Sequence, residues 1–193
     1  MNSGLPTDID KAAFLGWVQT RERKRFELVS GAVVEAEPHT LGHARVCGSL
    51  ARILHDSLDR KRWHTLLSFG VETGPKTIRD PDILVDRGGK AKDVLANAPV
   101  LIAEVPSPRS VTTDLGDKPA EYMNLPSVRV YLVLSQDEAK AWTWTRDESG
   151  HATGPTIIKG EDGIIRIPSL AIALSLSEIY ADILLPNERS PEC

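Results

Sequence analysis

Two stretches decide the reading: Asp80-Pro81-Asp82-Ile83-Leu84-Val85 and, further on, Val100-Leu101-Ile102-Ala103-Glu104-Val105. Each apolar run reads as a buried strand, with Asp82 at the edge of the first and Glu104 inside the second. An ionised carboxylate in apolar surroundings is costly enough that it normally protonates, pairs with a cation or coordinates a metal. Asp82 and Glu104 are therefore candidate site residues, and a divalent ion held by both would offset the cost. The spacing also allows a purely structural role: an ion pair of Glu104 with Arg79 or Arg129, with Asp82 at a strand edge. Pro-Asp alone is common in loops. Lys118, in the helical-looking segment that follows, completes a set of two carboxylates and an ammonium that suits metal-assisted phosphodiester hydrolysis.

Outward from these strands, Phe26–Val29 and Ala32–Glu35 around Ser30-Gly31 read as a hairpin carrying Glu27 and Glu35. From Thr40 to about Arg62, Leu41, Ala44, Cys47, Leu50, Ala51, Leu54 and Leu58 recur at helical steps, predicting a long amphipathic helix. Further strands are predicted over Thr65–Val71, Val128–Leu134 and Lys140–Thr145. A short helix capped by Asp8 and a terminal helix over Leu174–Leu185, capped by Ser175 or Ser177, are also expected. The Gly- and Lys-bearing stretch Asp86–Pro99 reads as a mobile insertion of the kind that reaches over a substrate. Trp142 and Trp144 share one strand face and read as aromatic core. The order of elements predicts an α/β fold with a mixed sheet.

The 193 residues suffice for one domain with a real core, 1–193, with ends at 1–8 and 186–193 expected to be disordered. Hydrophobic and charged contents of 41 % and 26 % are those of a soluble globular protein. No apolar run approaches the ~20 residues needed to span a bilayer, so no membrane association is expected. The N-terminus lacks a basic start and an apolar core, and a cytoplasmic location is the default expectation. Cys47 and Cys193 form neither a Cys-x-x-Cys pair nor a zinc-spaced cluster. A net charge of −4 argues against a histone-like or other strongly electrostatic nucleic-acid binder, although Arg21–Arg25 and Arg60–Arg62 supply local basic groups. Ser107 and Ser110 lack the Gly-x-Ser-x-Gly setting of a serine hydrolase, so Ser107-Pro108-Arg109-Ser110 reads as a turn in which Arg109 offers a phosphate contact.

The Arg25–Glu35 hairpin, His43 entering the long helix, Pro81-Asp82-Ile83-Leu84-Val85 and Ile102-Ala103-Glu104-Val105-Pro106 resemble a known pattern. It continues through Asp114-Leu115-Gly116-Asp117-Lys118, Glu121-Tyr122 and Val130–Leu134. Together these stretches, spread over roughly Phe14 to Leu185, resemble the bacterial Uma-two family of restriction-endonuclease-like proteins with the PD-(D/E)XK fold. The resemblance implies a four-stranded mixed core sheet flanked by helices, a nuclease-like core over about 25–135, Asp82 and Glu104 as metal ligands, and Lys118 as the basic catalytic group. In the wider superfamily the lysine follows the glutamate by two positions on the same strand. Pro106 occupies that position here, so Lys118 must reach the site from the next helix. Pro119 beside it is tolerated only in a first turn, which places the helix start near Asp117.

The resemblance further implies Mg²⁺ or Mn²⁺ as cofactor, held by Asp82, Glu104 and the carbonyl of Val105, and DNA as substrate. Hard oxygen donors favour these ions. Glu27 enters as an additional ligand or water-positioning acid, with pairing to Arg25 as its structural alternative. His43 is a candidate for a contact to phosphate or to water at the metal, and capping is its other use. Tyr122, one turn beyond Lys118, reads chiefly as core. A homodimer is expected wherever both strands of a duplex are cut. The alternative function is a catalytically silent nuclease fold that binds nucleic acid or protein in a defence or mobile-element system.

Overall fold

A computed structural model describes residues 4–21 and 24–184. In chain order it contains α1 (Lys11–Val18), β1 (Phe26–Val29), β2 (Ala32–Glu35), α2 (Leu41–Ser57), β3 (His64–Leu67), β4 (Val71–Gly74), β5 (Thr77–Arg79), β6 (Ile83–Asp86) and β7 (Pro99–Glu104). There follow α3 (Val111–Leu115), α4 (Asp117–Met123), β8 (Val130–Leu134), β9 (Lys140–Arg146), β10 (Ala152–Lys159), β11 (Ile164–Ile167), β12 (Ile172–Ser175), α5 (Leu176–Ile179) and α6 (Ala181–Leu184).

The main sheet has six strands in the order β10-β9-β8-β7-β6-β3. Only β7 and β8 run parallel, joined by the α3–α4 crossover that a parallel pair requires. This is the mixed α/β architecture expected, with more strands than the four of the implied core. Side-chain alternation then divides the apolar runs between two cores. Ile83, Val85, Leu101, Ala103, Leu132 and Leu134 pack with Val46, Leu50 and Leu54 of α2. Leu84, Ile102, Tyr131 and Val133 pack on the other face with Tyr122 and Met123 of α4. Glu104 follows Ile102 by two residues and so faces α4.

A second sheet, β2-β1-β5-β4, carries the hairpin, and β1 joins β5 through the pair Leu28 and Ile78. The chain leaves β5 at Arg79 and enters β6 four residues later, at Ile83. Glu27, on β1, is brought by this pairing to the start of β6.

Several boundaries differ from the sequence reading. The strand expected over Thr65–Val71 is two strands in different sheets, because Ser68 adopts φ 47° and turns the chain out of the main sheet. Leu174 completes β12, paired with Ile165, so the expected terminal helix begins only at Leu176; Ser175 stands at its N-cap without a capping side-chain bond. Asp10, not Asp8, caps α1, its carboxylate accepting from Ala13 N–H at 2.8 Å. The 87–98 connection joins the ends of β6 and β7 opposite Asp82 and Glu104. Buried Asp86 secures it, accepting from the N–H groups of Gly88, Asn97 and Ala98. It therefore contributes nothing to the cavity beside the acids, contrary to the substrate-covering role expected. Of the ends read as disordered, 1–3 and 186–193 lie outside the described residues, while the Pro6 carbonyl accepts from Val33 N–H at 2.9 Å.

Candidate active site

Antiparallel pairing of β6 with β7 sets Ile83 opposite Ala103, so Asp82 and Glu104 come together at the next step. The backbone clasps them reciprocally. Asp82 N–H donates to Glu104 Oε2 at 3.3 Å, and Val105 N–H donates to Asp82 Oδ2 at 2.9 Å. Both side chains are buried, at 8 % and 3 % exposure, yet both line a cavity of about 400 Å³.

Lys118 reaches this pair from the first turn of α4, where Pro119 is accommodated. Its Nζ lies 2.8 Å from Glu104 Oε1, 2.8 Å from Asp114 Oδ1 and 3.6 Å from Glu27 Oε1. The kink between α3 and α4 makes this approach available. A Cβ on Gly116 would stand 2.5 Å from the Thr112 carbonyl oxygen, so the kink requires glycine. Tyr122 fills the core with its ring and donates its hydroxyl to Glu104 Oε1 at 3.1 Å. It is thus core, as read from the sequence, and also a hydrogen-bond donor to the site.

Glu27 pairs with Arg79 rather than Arg25: Arg79 Nη1 donates to Glu27 Oε2 at 2.9 Å, and Asp80 N–H donates to Glu27 Oε1 at 3.1 Å. Arg79 also donates from Nε to Glu121 Oε2 at 2.7 Å, and is thereby occupied away from Glu104. Its side chain is 4 % exposed, so removing it would leave Glu27 desolvated beside Glu104. Arg79→Met is accordingly expected to cost about 3–5 kcal/mol of stability in urea unfolding, the magnitude for breaking a buried pair.

His43 enters from the first turn of α2, whose N-cap Thr40 accepts from His43 N–H. Gly42 lets that turn approach the 135–136 connection, since a Cβ there would lie 2.8 Å from the Gln136 carbonyl oxygen. His43 Nδ1 donates to the Val105 carbonyl at 2.8 Å, and Nε2 stands 3.5 Å from Asp82 Oδ1. The carbonyl expected to bind metal is thus engaged by an imidazole. Arg109 sits at the cavity rim, 86 % exposed and paired with Glu37 at 2.7 Å, and makes no contact with either acid.

Four further residues escaped the sequence reading as site groups. Arg25 donates to Asp82 Oδ1 at 3.1 Å and to Asp80 Oδ2 at 2.7 Å. His39 stacks on His43 with ring centroids 3.7 Å apart. Asp80 precedes Pro81 directly. Asp114 stands four residues before Lys118, a helical spacing that was legible.

The electrostatics follow from burial and crowding. Burial pushes the Glu104 carboxyl well above the usual carboxylate range; Lys118 opposes this, while Asp82, Asp114 and Glu27 reinforce it. For Lys118, burial favours loss of the proton, but Glu104, Glu27 and Asp114 hold the ammonium charged. Glu27 is kept below its ordinary value, since Lys118 and Arg79 outweigh burial. Burial lowers His39, and neighbouring His43 and Arg25 lower it further against the opposing pull of Asp82.

Glu27, Asp80, Asp82, Glu104, Asp114 and Glu121 thus face three side-chain cations, Arg25, Arg79 and Lys118. This excess of carboxylates, of which Asp82, Glu104 and Asp114 are buried, fits a divalent cation, which would offset the uncompensated charge.

Comparison with known proteins bears on the family and the fold. A model of the Uma2 family, described as "Putative restriction endonuclease", matches residues 12–177. The fold is similar to a crystal structure described as a putative nuclease of family DUF820 from Anabaena variabilis, with a TM-score of 0.73 and 16 % identity over 91 % of this chain and 99 % of that one. No curated protein matches the chain. No helix among the described residues is long and apolar enough to cross a membrane.

Proposed function

This chain belongs to the Uma2 family, and from that premise we propose that it is a divalent-metal-dependent endonuclease hydrolysing phosphodiester bonds of DNA. The observation that carries the proposal is the convergence of Asp82, Glu104 and Lys118 on one cavity, from two strands and a helix. Asp82 and Glu104 would hold Mg²⁺ or Mn²⁺, with Glu27 and the Val105 carbonyl as further oxygen donors. When bound, the ion supplies Lewis-acid stabilisation of charge on the scissile phosphate and makes water more acidic.

The chain's own residues do the remaining work. Lys118 Nζ, held charged by its three carboxylates, neutralises charge developing on phosphate oxygens and orients the attacking water. Tyr122 and the Asp82 N–H fix the two Glu104 oxygens, so the carboxylate presents one geometry without reorganising. Glu27 Oε1, 3.6 Å from Lys118 Nζ, would help align that water. Arg109 at the rim offers a phosphate contact after release from Glu37, and His43 orders the Val105 carbonyl. A homodimer supplies the second cut where both strands are broken.

The reading of a silent nuclease-fold module draws on the acidic net charge, Pro106 in the lysine position and Pro119 beside Lys118. Lys118 Nζ at 2.8 Å from Glu104 answers the two proline grounds and leaves the charge. The deciding experiment is cleavage of supercoiled plasmid with Mg²⁺, Mn²⁺ or EDTA, beside Asp82→Ala. Metal-dependent nicking that EDTA abolishes and Asp82→Ala lacks is the expected result. Equal nicking by Asp82→Ala would overturn the site assignment. Absence of cleavage by folded protein that also binds no divalent metal would favour the silent module.

A further inference from the structure

Beside the acid pair lies a second donor set of different chemistry. One ligand atom from each of His39, His43 and Asp82 lies within 4.8 Å of the other two. Asp82 Oδ1 is 3.5 Å from the His43 nitrogen and 3.9 Å from that of His39. The hydrogen bonds fix which ring nitrogens carry protons. Val105 O can only accept, so His43 Nδ1, 2.8 Å away, carries the proton and Nε2 presents its lone pair. Arg25 Nη1 can only donate, so His39 Nε2, 2.6 Å away, also presents a lone pair.

Two nitrogen lone pairs and a carboxylate oxygen therefore converge, and the positive group already among them is Arg25 Nη1, at 2.6 Å and 3.1 Å from His39 and Asp82. A histidine anchored through Nδ1–H to a backbone carbonyl, with Nε2 left free, is the arrangement by which metal-binding histidines are oriented. We propose that His39, His43 and Asp82 form a binding site for a divalent transition-metal ion of the Zn²⁺ or Co²⁺ type, favoured over Mg²⁺ because two of its three donors are imidazoles.

On binding, Arg25 Nη1 moves aside. The guanidinium stays attached through Nε to Asp80 Oδ2 at 2.7 Å and through Nη2 to the Asp80 carbonyl at 2.6 Å, so its charge remains compensated. The Cys47 thiol, 3.4 Å from His43 Nε2, is a weak donor that the ion displaces. This site shares Asp82 with the acid pair but does not need Glu104, and it stands whether or not the protein cleaves DNA.

The test is a Co²⁺ titration followed by visible absorption, with Zn²⁺ binding measured by calorimetry, on wild type, His39→Ala and Glu104→Gln. Expected are one tightly bound ion per chain in wild type and in Glu104→Gln, no displacement by a large excess of Mg²⁺, and weakening in His39→Ala beyond the roughly 10–100-fold that loss of an outer-shell partner costs. His39 is the more exposed imidazole, so its truncation leaves the fold intact; circular dichroism checks this, and His43→Ala is added where it also folds. Unchanged Co²⁺ affinity in His39→Ala overturns the proposal. So does loss of Co²⁺ binding in Glu104→Gln, which would assign the ion to the acid pair. Plasmid cleavage has no bearing on either outcome.

Discussion

Glu104→Gln is expected to reduce plasmid nicking by roughly 10³-fold or more while leaving the metal-free melting temperature at or slightly above that of wild type. The two effects separate because the carboxylate serves chemistry at the expense of the fold. Glu104 is 3 % exposed, with Asp82, Asp114 and Glu27 around it and a single ammonium at 2.8 Å. Burial and like charges both disfavour its ionised form, so the carboxylate is a stability cost that a bound cation would relieve. Glutamine keeps the volume and an acceptor for Lys118 and Tyr122, and gives up the long bond from Asp82 N–H. Loss of that bond is worth about 1 kcal/mol at most, which removal of the buried charge offsets. A 10³-fold loss corresponds to about 4 kcal/mol of transition-state stabilisation, reasonable for removing a ligand oxygen from a charge-stabilising site. Full nicking by this variant would contradict the assignment. A large fall in melting temperature would show Glu104 to be a structural carboxylate.

Lys118→Met should lower both properties, and the sequence alone would not have said so. Read from the sequence, Lys118 is a catalytic lysine removable without harm to folding. In the structure its ammonium is 8 % exposed and serves Glu104, Asp114 and Glu27 together. Methionine fills similar space but leaves three desolvated carboxylates without their cation. Breaking such a group costs about 3–5 kcal/mol, or roughly 6–20 °C in melting temperature for a chain of this size. Nicking should fall by roughly 10²–10³-fold as well. Differential scanning fluorimetry beside the plasmid assay checks both. A folded Lys118→Met protein that melts with wild type would show that the buried ion pairs contribute little net stability, and full activity would remove Lys118 from the mechanism.

What could be read from the chain divides along a physical line. The apolar runs Ile83–Val85, Val100–Ala103 and Val130–Leu134 have both faces covered in the folded protein, which is why they are continuous rather than alternating. The helical repeat of α2 likewise announced its buried stripe. Pro119 marked the start of α4 near Asp117 by a local backbone rule. Boundaries failed where a tertiary event intervened. Ser68 turns the chain from one sheet to another, and pairing with β11 draws Leu174 into a strand.

The sequence by itself determined the strands, the long helix, and the presence of Asp82 and Glu104 where apolar packing alone would not put acids. Local propensity and the cost of burying charge act on neighbouring residues, so they are legible without coordinates. Only the tertiary structure decided the company these acids keep. Glu27 arrives because β1 pairs with β5, Lys118 because the α3–α4 crossover passes over the end of β7, and His39, His43 and Arg25 because α2 and the hairpin close over Asp82. Each of these contacts joins residues far apart in the chain. Such meetings depend on how sheets and helices pack, which the spacing of residues along a sequence does not encode locally.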